Sequence, residues 1–125
     1  IEAPTASIFR MEFVNCKFLY AVEVDTSQGF ELCPAEVCEL ESNCPTEAIA
    51  KFTIVKDFSI PNISDYESFL RQSEIGIAGI EIIYDKNGDY WTYDVNTNTN
   101  YNPEAEHKGN QSAPEEIAKY LISLA

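Results

Sequence analysis

The sequence predicts an α+β domain, an antiparallel sheet of hairpins packed with helices. Three features carry that expectation: an alternating stretch broken by a short polar turn at residues 8–24, a second hairpin centred on Asn87-Gly88, and two helix starts, each marked by a Ser with Glu three positions on.

The first hairpin reads "SIFRMEFVNCKFLYAVEVD" and turns at Asn15 and Cys16. Unbroken alternation would put Phe9, Met11, Phe13, Phe18, Tyr20, Val22 and Val24 on a core face, with Ile8, Arg10, Glu12, Leu19, Ala21 and Glu23 opposite. Residues 26–50 lack a period and contain Gly29, Pro34 and Pro45, which predicts a long loop with a short helix. Loops of that length are often functional. "KFTIVK" follows as a further strand.

"SDYESFLRQSE" begins a helix with Ser64 and Glu67 spaced as a capping box, and Tyr66, Phe69 and Leu70 give it an apolar side. The terminal helix opens on "SAPE" at residues 112–115, with Pro114 in its first turn and a stripe of Ile117, Tyr120, Leu121 and Leu124. Both helices read as packing elements.

Between them lies the second hairpin, "IEIIYDKNGDYWTYDVN". A two-residue type I′ turn at Asn87-Gly88 needs positive φ at both positions, which these residues tolerate. It would set Lys86 opposite Asp89, Tyr84 opposite Trp91, Ile82 opposite Tyr93, and Glu81 opposite Asp94. One face would then carry Ile80, Ile82, Tyr84, Trp91, Tyr93 and Val95 as core. The other would carry Glu81, Ile83, Asp85, Tyr90, Thr92, Asp94 and Asn96.

Directly opposed like charges destabilise a ladder, because cross-strand Cβ atoms stand only about 5 Å apart. A bound cation reverses the sign of that interaction. Two carboxylates with the Asn96 amide oxygen on the same face suit Mg²⁺, which takes one or two carboxylates and completes its shell with water and phosphate oxygens. An EF-hand reading of "DKNGDYWTYDVN" fails, since Tyr90 and Asn96 stand where that loop needs Gly and Glu.

At 125 residues the chain is one domain long, and 45% hydrophobic with 12% aromatic residues places it among globular proteins. It has no apolar run long enough to span a bilayer. A formal net charge of −13 repels polyanions, which argues against nucleic acid or an anionic membrane as partner and favours a metal cation or an amine. Cys16, Cys33, Cys38 and Cys44 are compatible with two disulfides or with free thiols, and their spacing is not that of a zinc ribbon. The sequons at Asn62 and Asn110 matter only in a secreted chain, and their serines are better explained as caps. His107, the single histidine, reads as a surface residue in a polar loop. The chain opens at Ile1 with no visible signal peptide, as a fragment would.

Glu81 followed after a turn by "DVN", and then "DVNTNTNYN", resembles the C-terminal part of the ATP-grasp ligases, the group that includes D-alanine:D-alanine ligase, glutathione synthetase and the glutamate ligases acting on protein tails. Those enzymes hold two Mg²⁺ on the phosphates of ATP with such an element. "FRMEFVNCKFLYAVEVDTS" resembles the hairpin of the glutamate-ligase-like branch, in which an arginine faces the phosphates. The likeness spans most of residues 6–101. Departures are Asp94 where Glu is commoner, Thr99-Asn100 in place of Pro-Gly, and Glu23 where relatives often carry a basic residue.

The resemblance implies that residues 1–125 form one domain, the C-terminal fragment of a larger cytoplasmic ATP-grasp protein, a carboxylate-amine ligase working through an acyl phosphate. Its cofactors would be ATP and Mg²⁺ or Mn²⁺. Glu81, Asp94 and Asn96 would hold the metal, Arg10, Glu81 and Asn96 the nucleotide phosphates, with Arg10 also catalytic, and Asn98 would contact the acceptor. Partners would be small-molecule or peptide carboxylates and amines together with the missing N-terminal and ATP-clamping lobes, and a homo-oligomer is left open. The fragment alone should be inactive. The alternatives are a non-enzymatic binding or scaffold domain derived from the same fold, and a secreted disulfide-bonded module.

Overall fold

The computed structural model describes residues 4–27 and 52–125. Five strands, β1 (Ser7–Val14), β2 (Lys17–Asp25), β3 (Phe52–Val55), β4 (Ile77–Tyr84) and β5 (Tyr90–Asn96), form one antiparallel sheet in the order β3-β2-β1-β4-β5. Helix α1 (Ile63–Gln72) packs on one face. The C-terminal segment, with α2 (Pro103–Lys108) and α3 (Ala113–Ser123), lies on the other. The α+β expectation holds. Most of the expected loop, with Cys33, Cys38 and Cys44, lies outside the described residues.

The β1–β2 turn is the two-residue turn expected at Asn15 and Cys16, with φ of 55° and 58°. Left-handed φ costs a non-glycine residue roughly 1–2 kcal/mol. Two bonds offset it at Cys16, whose N–H donates to the Gly76 carbonyl at 3.2 Å and whose thiol donates to the Ile75 carbonyl at 3.2 Å. Among the described residues Cys16 is a free thiol.

The expected faces of this hairpin need correction. β1 and β2 shift register between Glu12 and Phe13, pairing Glu12 with Tyr20 but Phe13 with Phe18, so Leu19 is an extra residue. A one-residue slip moves every later side chain to the opposite face. Phe9, Met11, Phe13, Phe18 and Ala21 therefore join Ile80, Ile82 and Leu70 in the core beneath α1. Tyr20, Val22 and Val24 pack on the other side with Ile8 and Ala113. Both faces are covered, and Arg10 and Glu12 are buried beneath the C-terminal segment.

Neither helix start matches expectation fully. Asn62, not Ser64, is the N-cap of α1, and its side chain makes no capping bond. Glu67 instead accepts the Phe18 N–H at 3.1 Å, tying α1 to the irregular part of β2. At α3 the Ser112 side chain does accept the Glu115 N–H, at 3.3 Å. The apolar stripe of α3 is only partly covered, since Leu121 and Leu124 stay exposed. α2 is a helix the sequence reading lacks; Asn102 caps it and Pro103 opens it, which places exposed His107 in a helix rather than a loop. Buried Glu106 on α2 accepts the Tyr20 hydroxyl at 2.7 Å and the Ala113 N–H at 2.6 Å. Burial, with the Glu106 hydrogen bond and charge next, pushes the Tyr20 phenol pKa up.

Candidate metal and phosphate site

The β4–β5 connection is a three-residue loop, not the two-residue turn expected. The Asp85 N–H donates to the Asp89 carbonyl at 2.8 Å, the Gly88 N–H donates to the Asp85 carbonyl at 3.0 Å, and Gly88 alone takes positive φ, at 84°. Asp85 builds this turn from its side chain. Its Oδ1 accepts the Asn87 and Asp89 N–H groups at 2.8 and 3.1 Å, and its Oδ2 accepts Trp91 Nε1–H at 3.1 Å. The Trp91 bond first, and the backbone bonds with it, hold the Asp85 pKa below its ordinary 3.8, against an opposing effect of burial.

This turn puts the adjoining ladder one residue out of the expected register, pairing Tyr84 with Tyr90, Ile83 with Trp91 and Ile82 with Thr92. An irregularity between Glu81 and Ile82 then absorbs Tyr93 as an extra residue. Beyond it Glu81 faces Asp94, Ile80 faces Val95 and Gly79 faces Asn96. The carboxylate pair stands where the sequence puts it, although the hairpin reaches it by a different route.

The expected core face forms on β4 alone, where Ile80 and Ile82 are buried and Tyr84 packs against the core. Trp91, Tyr93 and Val95 are 49%, 45% and 39% exposed, whereas Tyr90 packs against the core under α1. Thr92 and Tyr90 meet that side through hydroxyl bonds, to the Tyr66 hydroxyl at 2.6 Å and to the Asn62 side chain respectively. Tyr93 is left beside the acids. Burial first, then hydrogen bonding to Glu81 and the charges of Glu81 and Asp94, raise its pKa, while Arg10 lowers it.

Across the sheet the pairings make two rows. Arg10 on β1 faces Glu81 on β4, which faces Asp94 on β5; next to them Glu12 faces Gly79, which faces Asn96. Arg10, Glu81, Asp94 and Asn96 thus occupy one sheet face. Asn98 is exposed in the following segment, and its N–H donates to Asn96 Oδ1 at 2.8 Å.

Arg10 is not a free cation. The residue is 5% exposed, with Nε donating to Glu12 Oε1 at 2.5 Å and Nη2 donating to the Asn100 carbonyl at 2.8 Å. Glu12 is fully buried and both its oxygens accept from the Thr99 hydroxyl at 3.1 Å. Burial raises the Glu12 pKa above 4.5, outweighing the charge and hydrogen bond of Arg10. Gly79 makes room for this contact, because a Cβ there would lie 3.0 Å from Thr99 Oγ1 and 3.1 Å from Glu12 Oε2. Sequence reasoning placed Glu12 on this face and gave it no role; an acid two residues from an arginine, on the same face of a strand, was the available signal.

Among Arg10, Glu12, Glu81 and Asp94 there is one positive charge against three negative ones, and Glu12 already pairs with the positive one. Glu81 and Asp94 are therefore short of a cation. Among the described residues no group of three or more acidic, His or Cys side chains could enclose a metal. Two carboxylates and one amide fit a divalent ion that keeps open positions for water or phosphate, not a closed protein cage.

No family model matches the chain, and no curated protein matches it. Solved structures do. PsnB, an ATP-grasp ligase complexed with a phosphomimetic variant of a minimal precursor, Mg and ADP, superposes with a TM-score of 0.61 at 12% identity over 95% of this chain and 32% of its own. The fold is that of an ATP-grasp ligase segment. A Chryseobacterium gregarium RiPP-associated ATP-grasp ligase in complex with ADP and a leader and core peptide gives 0.59 at 15% identity, over 98% of this chain and 35% of its own. The macrocyclase MdnB from Microcystis aeruginosa gives 0.56 at 12% identity, over 98% and 38%. The ATP-grasp-like chain thus spans about a third of the length of these structures. No helix among its described residues is long and apolar enough to cross a membrane.

Proposed function

We propose that this chain is the C-terminal metal- and phosphate-binding portion of an ATP-dependent carboxylate-amine ligase, completed by an ATP-clamping lobe elsewhere in the whole protein. The observation that carries the reading is the direct pairing of Glu81 with Asp94, beside Asn96, on a sheet of ATP-grasp ligase-like fold.

Glu81, Asp94 and Asn96 would hold Mg²⁺ or Mn²⁺, which when bound neutralises negative charge on the phosphoryl group being transferred. Arg10, in the same row, adds a fixed positive charge at that edge, and its buried stem and two hydrogen bonds keep it from drifting. In the reaction a substrate carboxylate oxygen bonds to the γ-phosphorus as the bond to ADP breaks. An amine nitrogen then bonds to the acyl carbon, phosphate leaves with the C–O electron pair, and the nitrogen gives up a proton. Asn98, exposed beyond Asn96, would contact the acceptor.

The substrates would include peptides. PsnB is bound to a precursor peptide in one structure, and the macrocyclase MdnC to its precursor MdnA in another, both sharing this fold. The second reading, a binding or scaffold domain without chemistry, is favoured by one observation: Glu12 and Asn100 already occupy the Arg10 guanidinium.

Calorimetric titration of ATP with Mg²⁺ into the intact protein and its Glu81→Gln and Asn96→Ala variants tests the proposal. Metal-dependent binding that weakens in both variants supports it. Equal, metal-independent binding in all three excludes it.

A further inference from the structure

We infer that Glu12 is a positioning residue that insulates the carboxylate pair from Arg10: by holding the guanidinium, it leaves Glu81 and Asp94 free for a cation. The inference rests on the metal-binding reading above and adds a residue with a separate task.

Arg10 has two carboxylates within reach of its position on β1. Glu81 is its direct cross-strand partner on β4, and Glu12 lies two residues along its own strand, on the same face. Cross-strand partners place their Cβ atoms about 5 Å apart, well inside the span of an arginine side chain. Yet among the described residues Glu12 is the carboxylate that Arg10 pairs with.

Several contacts bias that choice. Glu12 is fully buried, which makes its charge dependent on a partner, and the Thr99 hydroxyl fixes both its oxygens from the far side. The Asn100 carbonyl accepts Arg10 Nη2 as well, a second contact that holds the guanidinium. Gly79, directly across from Glu12, leaves the space through which Thr99 reaches it. Strand and loop together draw the guanidinium toward Glu12 and the segment after Asn96.

Without the Glu12 charge, Arg10 would be a buried cation whose direct cross-strand partner is the Glu81 carboxylate. Turning to it would place a positive charge against the metal ligands, and repulsion at that range weakens cation binding by roughly tenfold or more. The loss would come from Arg10, not from missing ligands. Removing Arg10 as well should then return the affinity, which a general structural role for Glu12 would not produce.

The test compares Mn²⁺ affinity, by electron paramagnetic resonance without nucleotide, in the intact protein and its Glu12→Gln and Arg10→Met/Glu12→Gln variants, with folding checked by circular dichroism. A crystal structure of Glu12→Gln accompanies it. The expected result is Mn²⁺ binding about tenfold weaker in the single variant, most of it regained in the double, and the guanidinium on Glu81 in the crystal. Unchanged affinity in Glu12→Gln, or a double variant no better than the single, overturns the inference. If the parent protein binds no Mn²⁺ without nucleotide, the crystal alone decides: a guanidinium on Glu81 supports the positioning role, and one that stays clear of it overturns that role; if it binds none with ATP either, the metal-binding reading fails instead.

Discussion

Glu81 and Asp94 are direct cross-strand partners, and Arg10, next in the same row, gives its charge to Glu12 rather than to either of them. The sheet thus maintains a local excess of negative charge that it could have cancelled. Such an arrangement costs stability as long as no cation is bound, and that cost should be measurable.

Glu81→Gln removes the repulsion across the ladder while keeping the shape of the side chain. In metal-free buffer it should raise unfolding stability by about 0.2–1 kcal/mol. The check is a urea titration with chelator, in which Glu81→Gln shows a higher midpoint at unchanged slope. With Mg²⁺ and ATP present the order should reverse, because ligand stabilises the parent alone.

Gly79→Ala should act on the loop after Asn96. Its Cβ would crowd both Thr99 Oγ1 and Glu12 Oε2, so one of them must yield. A destabilisation of about 1–3 kcal/mol is expected, and amide exchange at residues 97–100 should speed up more than exchange in β1.

The turn carries a pH signature. Asp85 has its folded pKa below 3.8, so the stability it contributes is fully present above 3.8 and lost as pH falls through the lower folded value. In an NMR titration the Asp85 carboxyl should show a midpoint below 3.8, and Asp85→Asn should abolish the acid loosening of residues 85–89. At neutral pH the turn should be insensitive to pH.

The hairpin shows how far local patterns reach. Asn87-Gly88 marks the turn correctly, but Asp85 has the side chain to bond the Asn87 and Asp89 N–H groups, which selects the three-residue loop. That choice shifts the register by one, and the irregularity at Tyr93 shifts it back, so the pairing of Glu81 with Asp94 comes out as read. Two compensating irregularities leave no periodic trace. The same limit applies at Leu19, where an extra residue moves Tyr20, Val22 and Val24 to the face opposite the one alternation assigns. The strands, the helices α1 and α3 and the acidic row were legible because they follow from composition and spacing. The Arg10–Glu12–Thr99 contact joins residues 87 positions apart in sequence, and only the tertiary fold brings them together.

The most direct test of the central claim is an anomalous difference map from crystals of the intact protein grown with ADP and Mn²⁺. The account predicts a peak about 2.1 Å from carboxylate oxygens of Glu81 and Asp94 and from the amide oxygen of Asn96, with a nucleotide phosphate in the shell. A metal-nucleotide complex bound away from all three side chains would contradict it.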